Sequence, residues 1–473
     1  MKRLGLLFFS VFIVCLAYAQ PALQQFINHP ALKHASVGVQ VTDLKTGRSV
    51  VSHNAEKSLT PASITKVITT STALEVLGAD YRYHTLVALD ENDPEKILVI
   101  GSGDPTLGSE AFENNRYEFF EKSAAALKSV LSPDKACSIY VVDNLFGYNG
   151  VSPEWTWIDM GNYYAAGAYG ISIFDNSYKL FFNTLDRSAP PKILRTEPDI
   201  KNLTFINDLS LNATGADNGY IYGAPFSYDR AVRGNIPAGR SAFSIKGDIP
   251  DPGMLLGETL ADYLNNYNID ISKVETARID YISRNKTAHK IGRVVYTHTS
   301  PTLKDIVKEV NVKSNNHFSE HLIRIIGRTQ NGDIFNDPLQ TGIDYIHRFW
   351  QQKQISTASL TLHDGSGLAP QNAFSPDFLT EVLYYMYNKS KMSETFVDSL
   401  PIAGKDGTLR NFMKNTKYEG KIRAKSGSIG GVHCYAGYLM DGEKQYAFTV
   451  MVNKFNGTRS QVRSAIEKYL QSL

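Results

Sequence analysis

The sequence predicts an α+β protein: a central antiparallel sheet flanked by helices, interrupted by two mostly β inserted subdomains. Three observations predict it. Alternating apolar runs flank Asp43–Gly47 near the start of the chain, and a second such set flanks Asp441-Gly442 near its end; each reads as a β-hairpin. Residues 300–388 between them carry helical periodicity. From Thr85 to Val295 the texture changes to short β-like runs separated by Gly, Asn and Pro. Strands near both termini that enclose helices are expected to pair as one sheet.

In chain order, a short helical segment after Gln20 leads into the first hairpin. Ile64 to Leu77 is apolar-periodic and stops at Gly78, which predicts a helix whose first turn holds Pro61-Ala-Ser-Ile-Thr-Lys66. Runs at Leu86–Leu89, Ile97–Gly103 and Ser138–Asp143 predict strands, with a helix near Tyr117–Leu131. An aromatic stretch, Pro153-Glu-Trp-Thr-Trp-Ile-Asp159, follows. Residues 176–245 read as further short strands and Asp251–Tyr267 as a returning helix. Helices are expected from Thr302 through Trp350 and over Pro376–Asn388, then two strands around Asp441-Gly442 with Lys425-Ser426-Gly427 opening the first, and a terminal helix over Gln461–Leu473. The expected boundaries are 21–84 and 296–473 for the principal domain, 85–175 and 246–295 for the first insert, and 176–245 for the second.

The chain has 473 residues, 42% hydrophobic and 20% charged, which suits a folded protein with a sizeable core rather than a disordered one. Residues 1–19 form a basic tip, an apolar run and an Ala17-Tyr-Ala19 end, the pattern of a secretory signal peptide. Without that leader 47 basic residues face 47 acidic ones, so charge gives no argument for nucleic acid or an anionic membrane as partner. Cys137 and Cys434 remain after the leader is removed; two cysteines are no disulfide framework, and buried free thiols are expected.

Ser63 and Lys66 stand three residues apart at a helix start, so both side chains point the same way. A neutral lysine amine is a base able to activate a serine hydroxyl, and the helix N-terminus favours a developing oxyanion. Ser-x-x-Lys also occurs at Ser132 and Ser283, and Ser-x-Asn at Ser52, Ser210 and Ser283. Lys45-Thr46-Gly47 is a turn in the first hairpin. Only the set Ser63-x-x-Lys66, Ser314-x-Asn316 and Lys425-Ser426-Gly427 has each member on a suitable element in the order known for β-lactamases and penicillin-binding proteins.

With those motifs, and with Trp155–Asp159, Asp364-Gly-Ser-Gly-Leu368 and Leu400-Pro-Ile-Ala-Gly-Lys-Asp-Gly-Thr-Leu409, nearly the whole mature chain resembles the three-domain, class C penicillin-binding proteins, the D-alanyl-D-alanine carboxypeptidase/endopeptidases. Ser-Asn-Asn stands for the commoner Ser-Asp-Asn and Ser426 for the usual Thr; both keep hydrogen-bonding groups. The resemblance implies a β-lactamase/transpeptidase-like principal domain, no cofactor or metal, peptidoglycan stem peptides as substrate, β-lactams as covalent inhibitors, and a periplasmic location. It implies that Ser63 is the nucleophile and that Lys66 takes its proton, directly or through Ser314. Ser314 would relay a proton to the leaving amine, and Asn316 would bind a substrate amide and hold Lys66 in place. Lys425 and Ser426 would bind the terminal carboxylate, beside Gly427, and Ser428 would share the oxyanion hole with Ser63. Asp159 would meet the ammonium of a diamino acid, or else be a satisfied turn residue, and Trp155 and Trp157 read as packing.

Two other readings compete. His317-x-x-Glu320-His321 matches the inverted zincin pattern, with two imidazoles four apart on one helix face, and would make the protein a zinc metallopeptidase. A wall-binding or β-lactam-binding scaffold without turnover would keep the same fold. Gly365-Ser366-Gly367 fails the nucleophile-elbow pattern and reads as a turn.

Overall fold

The computed structural model describes residues 21–112, 114–283, 289–442 and 444–473. The expected leader, and Lys286 of the Ser283 motif copy, lie outside the described residues. Contacts divide the described residues into two compact units, one within 21–80, 303–315 and 343–473, the other within 81–302 and 316–342.

The first unit is built on one five-stranded antiparallel sheet. Its order is Ile422–Ile429, Val432–Asp441, Lys444–Asn453, Ser36–Asp43, Ser49–His53, so strands from the two ends of the chain meet at its centre, with Ser36 opposite Asn453 and Asp43 opposite Tyr446. The two central C-terminal strands are buried along most of their length because helices cover both faces. On one face the 21–27 helix and Arg459–Leu470 bring Phe26, Val462 and Ile466 against Val39, Val41 and Val450, and Phe26 stacks on Tyr469 at 5.0 Å. On the other face Pro376–Asn388 lies against the sheet, Thr380 and Thr449 sharing a 2.8 Å hydrogen bond.

The C-terminal region departs from the expected single hairpin. It has three strands, and Lys425-Ser426-Gly427 sits inside a separate edge strand, Ile422–Ile429, not at the opening of the Asp441-Gly442 hairpin. The missed turn is Gly430-Gly431, whose second glycine takes φ 71°, a conformation that suits a two-residue hairpin loop.

Thr65–Leu77 runs through the interior of this unit and is buried from Thr65 to Leu74. Its many hydroxyls are compatible with burial because they bond locally: Thr70 Oγ1 donates to Lys66 O at 2.6 Å and Thr72 Oγ1 to Ile68 O at 2.8 Å. Trp350 Nε1 donates to Thr72 Oγ1 at 3.1 Å, adding a distant anchor to the same helix.

The second unit holds a mixed five-stranded sheet and two three-stranded ones. The order of the large sheet is Ile271–Thr276, Cys137–Val142, Lys96–Ile100, His84–Asp90, Ile291–Thr299. Leu127, Ile139, Val141, Leu256 and Leu260 lie in one core with Leu180, Ile221 and Val232 of the smaller sheets. Cys137 and Cys434 are both buried free thiols. Among the described residues no helix is long and apolar enough to cross a membrane.

Candidate active site

Ser63 lies in a 3₁₀ turn, Ala62–Ile64, that runs directly into Thr65–Leu77. Lys66 therefore emerges from the first helical turn, and its Nζ approaches Ser63 Oγ at 3.1 Å. Lys66 is wholly buried while Ser63 is half-buried.

A second loop completes the surroundings of that amine. Lys66 Nζ donates to the carbonyl of Ser366 at 2.6 Å. Asp364 shapes the loop: its carboxylate accepts the N–H groups of Gly367 and Ala369, each at 2.7 Å, and Asn372 Nδ2 at 2.8 Å. Gly367 has φ 80°, and a Cβ there would sit 2.0 Å from Ala62 O. Only glycine lets the loop lie this close to the Ser63 turn. Asp364-Gly-Ser-Gly, read from sequence as a turn, is thus a turn that supports the lysine through a main-chain oxygen.

The edge strand supplies the second amine. Lys425 is wholly buried, and its Nζ donates to Ser314 Oγ and to Ser426 O, both at 2.9 Å. Burial, and then the neighbouring positive charge of Lys66, push the Lys425 amine well below the ordinary lysine range. Ser314 itself adopts φ 60°, a left-handed backbone uncommon for a non-glycine residue, which fits a residue held for its side chain. Gly427 lies so near the serine turn that a Cβ would stand 2.5 Å from Pro61 O and 3.0 Å from Ser63 N. Ser63, Lys66, Ser314, Lys425 and Gly427 are thereby gathered within one unit.

Ser426 Oγ donates to Thr408 Oγ1 at 2.9 Å. Ser428 Oγ lies 2.6 Å from His433 Nδ1, and His433 Nε2 lies 3.0 Å from the Tyr435 hydroxyl. Burial, reinforced by the charges of Arg459 and Arg463, holds the His433 imidazole down at about 4, hence neutral at ordinary pH. His433 and Tyr435 carry no local signal in the sequence; their alignment with Ser428 and Ser426 comes from the register, which sets Tyr435 opposite Ser426 and His433 opposite Ser428, while Thr408 comes from the Gly407–Leu409 turn.

Asn316 and Asp159 belong to the second unit. Asn316 Nδ2 donates to Tyr164 O at 2.8 Å. The Tyr164 hydroxyl hydrogen-bonds Asp159, and burial followed by that carboxylate's charge raises the phenol above its usual value. Asp159 also accepts Thr156 Oγ1 at 2.5 Å, so it is satisfied within its turn while staying partly exposed. Trp155 is buried, whereas Trp157 is 65% exposed with its ring centroid 6.1 Å from that of Tyr222.

The metallopeptidase pattern resolves differently. Glu320 pairs with Arg324 at 2.7 Å, both buried. His321 donates from Nδ1 to Gly103 O at 2.8 Å, and its Nε2 lies 2.9 Å from Ser172 Oγ, which occupies the lone pair a zinc ion would need. His317 is held at about 3 by burial. These side chains belong to the interior of the second unit, and among the described residues no group of three or more His, Cys, Asp or Glu is placed to hold a metal.

Comparison with known proteins agrees with the geometry. Residues 19–473 match the D-Ala-D-Ala carboxypeptidase 3 (S13) family. The D-alanyl-D-alanine carboxypeptidase of Actinomadura sp. (strain R39) is 26% identical over 452 residues, 92% of this chain and 81% of that protein. The penicillin-sensitive carboxypeptidase A of Dictyostelium discoideum is 23% identical over 449 residues, 89% of this chain and 83% of its own. Penicillin binding protein 4 (dacB) from Haemophilus influenzae has the same fold, with a TM-score of 0.77 at 18% identity over 96% of this chain and 97% of that one. Matched along nearly its whole length, the chain belongs to the D-Ala-D-Ala carboxypeptidase 3 (S13) family and is a serine-type D-Ala-D-Ala carboxypeptidase.

Proposed function

We propose that Ser63 is the nucleophile of this carboxypeptidase, attacking the carbonyl of the penultimate D-alanine of a peptidoglycan stem peptide. The observation that carries this reading is the 3.1 Å contact between a buried Lys66 amine and a half-buried Ser63 hydroxyl. Lys66 takes the serine proton, directly or through Ser314. The Ser63 Oγ–carbon bond forms, the C–N bond breaks, and the proton passes to the leaving amine through Ser314. The N–H groups of Ser63 and Ser428 stabilise the oxyanion, a role supported by the close approach of the edge strand at Gly427. Ser426, with Lys425, binds the substrate's terminal carboxylate. Water then adds to the acyl carbon and returns a proton to Ser63.

By the family pattern Asn316 binds a substrate amide and Asp159 meets a diamino acid's ammonium; their link through Tyr164 supports reading the two together. β-Lactams, as cyclic mimics of the same amide, acylate Ser63. Residues 1–19 direct export, which puts the mature enzyme in the periplasm. Digestion of defined muropeptides by wild type and Ser63→Ala, followed by mass spectrometry, tests the assignment: D-alanine release and cross-link cleavage are both lost in the variant. Retention of either activity, or penicillin attached to another residue, overturns it.

A further inference from the structure

The cavity that opens beside Ser426 and Ser428 has a volume of about 320 Å³, more than a terminal D-alanine carboxylate fills. Ser426, Ser428 and Thr408 line it together with three basic residues, Arg459 and Arg463 of the terminal helix and Arg410. None of these three arginines has an ion-pair partner among the described residues, although elsewhere in the chain guanidiniums at Arg230, Arg324 and Arg423 are paired. Arg459 and Arg463 stand four apart, one helical turn, so both side chains face the same way. Both line the cavity together with His433. The nearest acid on that helix, Glu467, is engaged with the Met413 N–H at 2.9 Å.

On the reading proposed above, Ser426, with Lys425, holds the carboxylate next to the scissile bond, so the arginines that share the cavity with Ser426 lie beyond the leaving group. A free D-alanine leaving group ends at that carboxylate. The leaving group of a cross-link is an amine-bearing stem peptide with further carboxylates, which continues past it.

We propose that Arg459 and Arg463 form a leaving-side subsite for an acidic peptide, selecting cross-linked over monomeric stem peptides. The chemistry is unchanged. Ser63 Oγ bonds to the D-alanyl carbonyl carbon, the amide C–N bond breaks, and the released amine of the acidic peptide takes the proton. Water then hydrolyses the ester and restores the Ser63 hydroxyl.

The test is Arg459→Gln/Arg463→Gln assayed on a monomeric pentapeptide and on a D-alanyl cross-linked dimer. The readout is the ratio of kcat/KM for dimer cleavage to that for D-alanine release. Loss of charge-assisted bonds to the acceptor peptide predicts a fall of about tenfold in that ratio, carried by KM, with partial recovery in Arg459→Lys/Arg463→Lys. A fall of less than about fivefold, or a fall carried by kcat alone, overturns the proposal. Covalent labelling by a fluorescent penicillin confirms that each variant is folded; if the double variant does not label, the two single Gln variants take the same ratio test. Failure of wild type to be labelled at Ser63 sinks the nucleophile assignment, an outcome separate from an unchanged ratio.

Discussion

Lys425 illustrates how one residue trades stability for chemistry. Its amine is desolvated and faces a second amine, with oxygen partners that carry no charge. Its folded pKa therefore lies below the unfolded value near 10.5, so the unfolded chain binds more protons across the interval between the two, and stability rises with pH there. Lys425→Met removes the polar head and keeps the stem. The expected outcome is a penicillin acylation rate lower by roughly a thousandfold or more, together with a melting temperature at or above wild type and no rise in stability across that interval. Thermal unfolding between pH 7 and 10, beside stopped-flow acylation, measures both.

At the scale of elements, two short segments press against the Ser63 turn. The Asp364 loop holds the Ser366 carbonyl on Lys66 by means of hydrogen bonds from Ser366, Gly367, Ala369 and Asn372 to one carboxylate. Asp364→Ala leaves buried N–H donors unpaired, and is expected to cost about 3 kcal/mol in urea unfolding and to lower kcat as Lys66 loses its fixed partner. The edge strand is the other segment. A Cβ at Gly427 meets Pro61 O and Ser63 N, so Gly427→Val displaces strand from turn; a shift near 1 Å predicts about a hundredfold loss of acylation with the sheet intact by circular dichroism. A variant that acylates at the wild-type rate would show that this close approach does not matter.

At the scale of the whole molecule, the second unit buries carboxylates that the chemistry does not use. Burial, with the nearby charge of Asp251, lifts Asp143 to about 7; burial lifts Asp248 to about 6 in spite of its Arg230 partner. Both folded values exceed the unfolded value of 3.8, so their contribution to stability is complete below about pH 4 and is lost as pH rises through 6 to 7. Hydrogen exchange of the Cys137–Val142 and Lys96–Ile100 strands, corrected for intrinsic rates, is expected to show less protection at pH 8 than at pH 5. Asp143→Asn, which cannot ionise, flattens that difference; an unchanged pH profile in the variant would refute the assignment.

The order and spacing of Ser63-x-x-Lys66, Ser314-x-Asn316 and Lys425-Ser426-Gly427, the two terminal hairpins and the buried Ser63 helix were legible in the sequence. Each is a local pattern: a period, a turn or a cap written within a few residues. What the chain could not declare locally was partnership. Lys66 finds its carbonyl 300 residues away, and Lys425 its hydroxyl 111 residues away. The Gly430-Gly431 turn hides in a run, Lys425-Ser-Gly-Ser-Ile429, that continues smoothly toward the next strand, yet it is this turn that makes the lysine strand an edge. Register alone brings His433 and Tyr435 beside Ser428 and Ser426. The His317-x-x-Glu320-His321 pattern shows the converse, since its spacing suits zinc while Ser172, Gly103 and Arg324 claim His321 and Glu320. Hydrogen bonds and desolvation act between neighbours in space, so the choice among equal-looking motifs belongs to the tertiary structure.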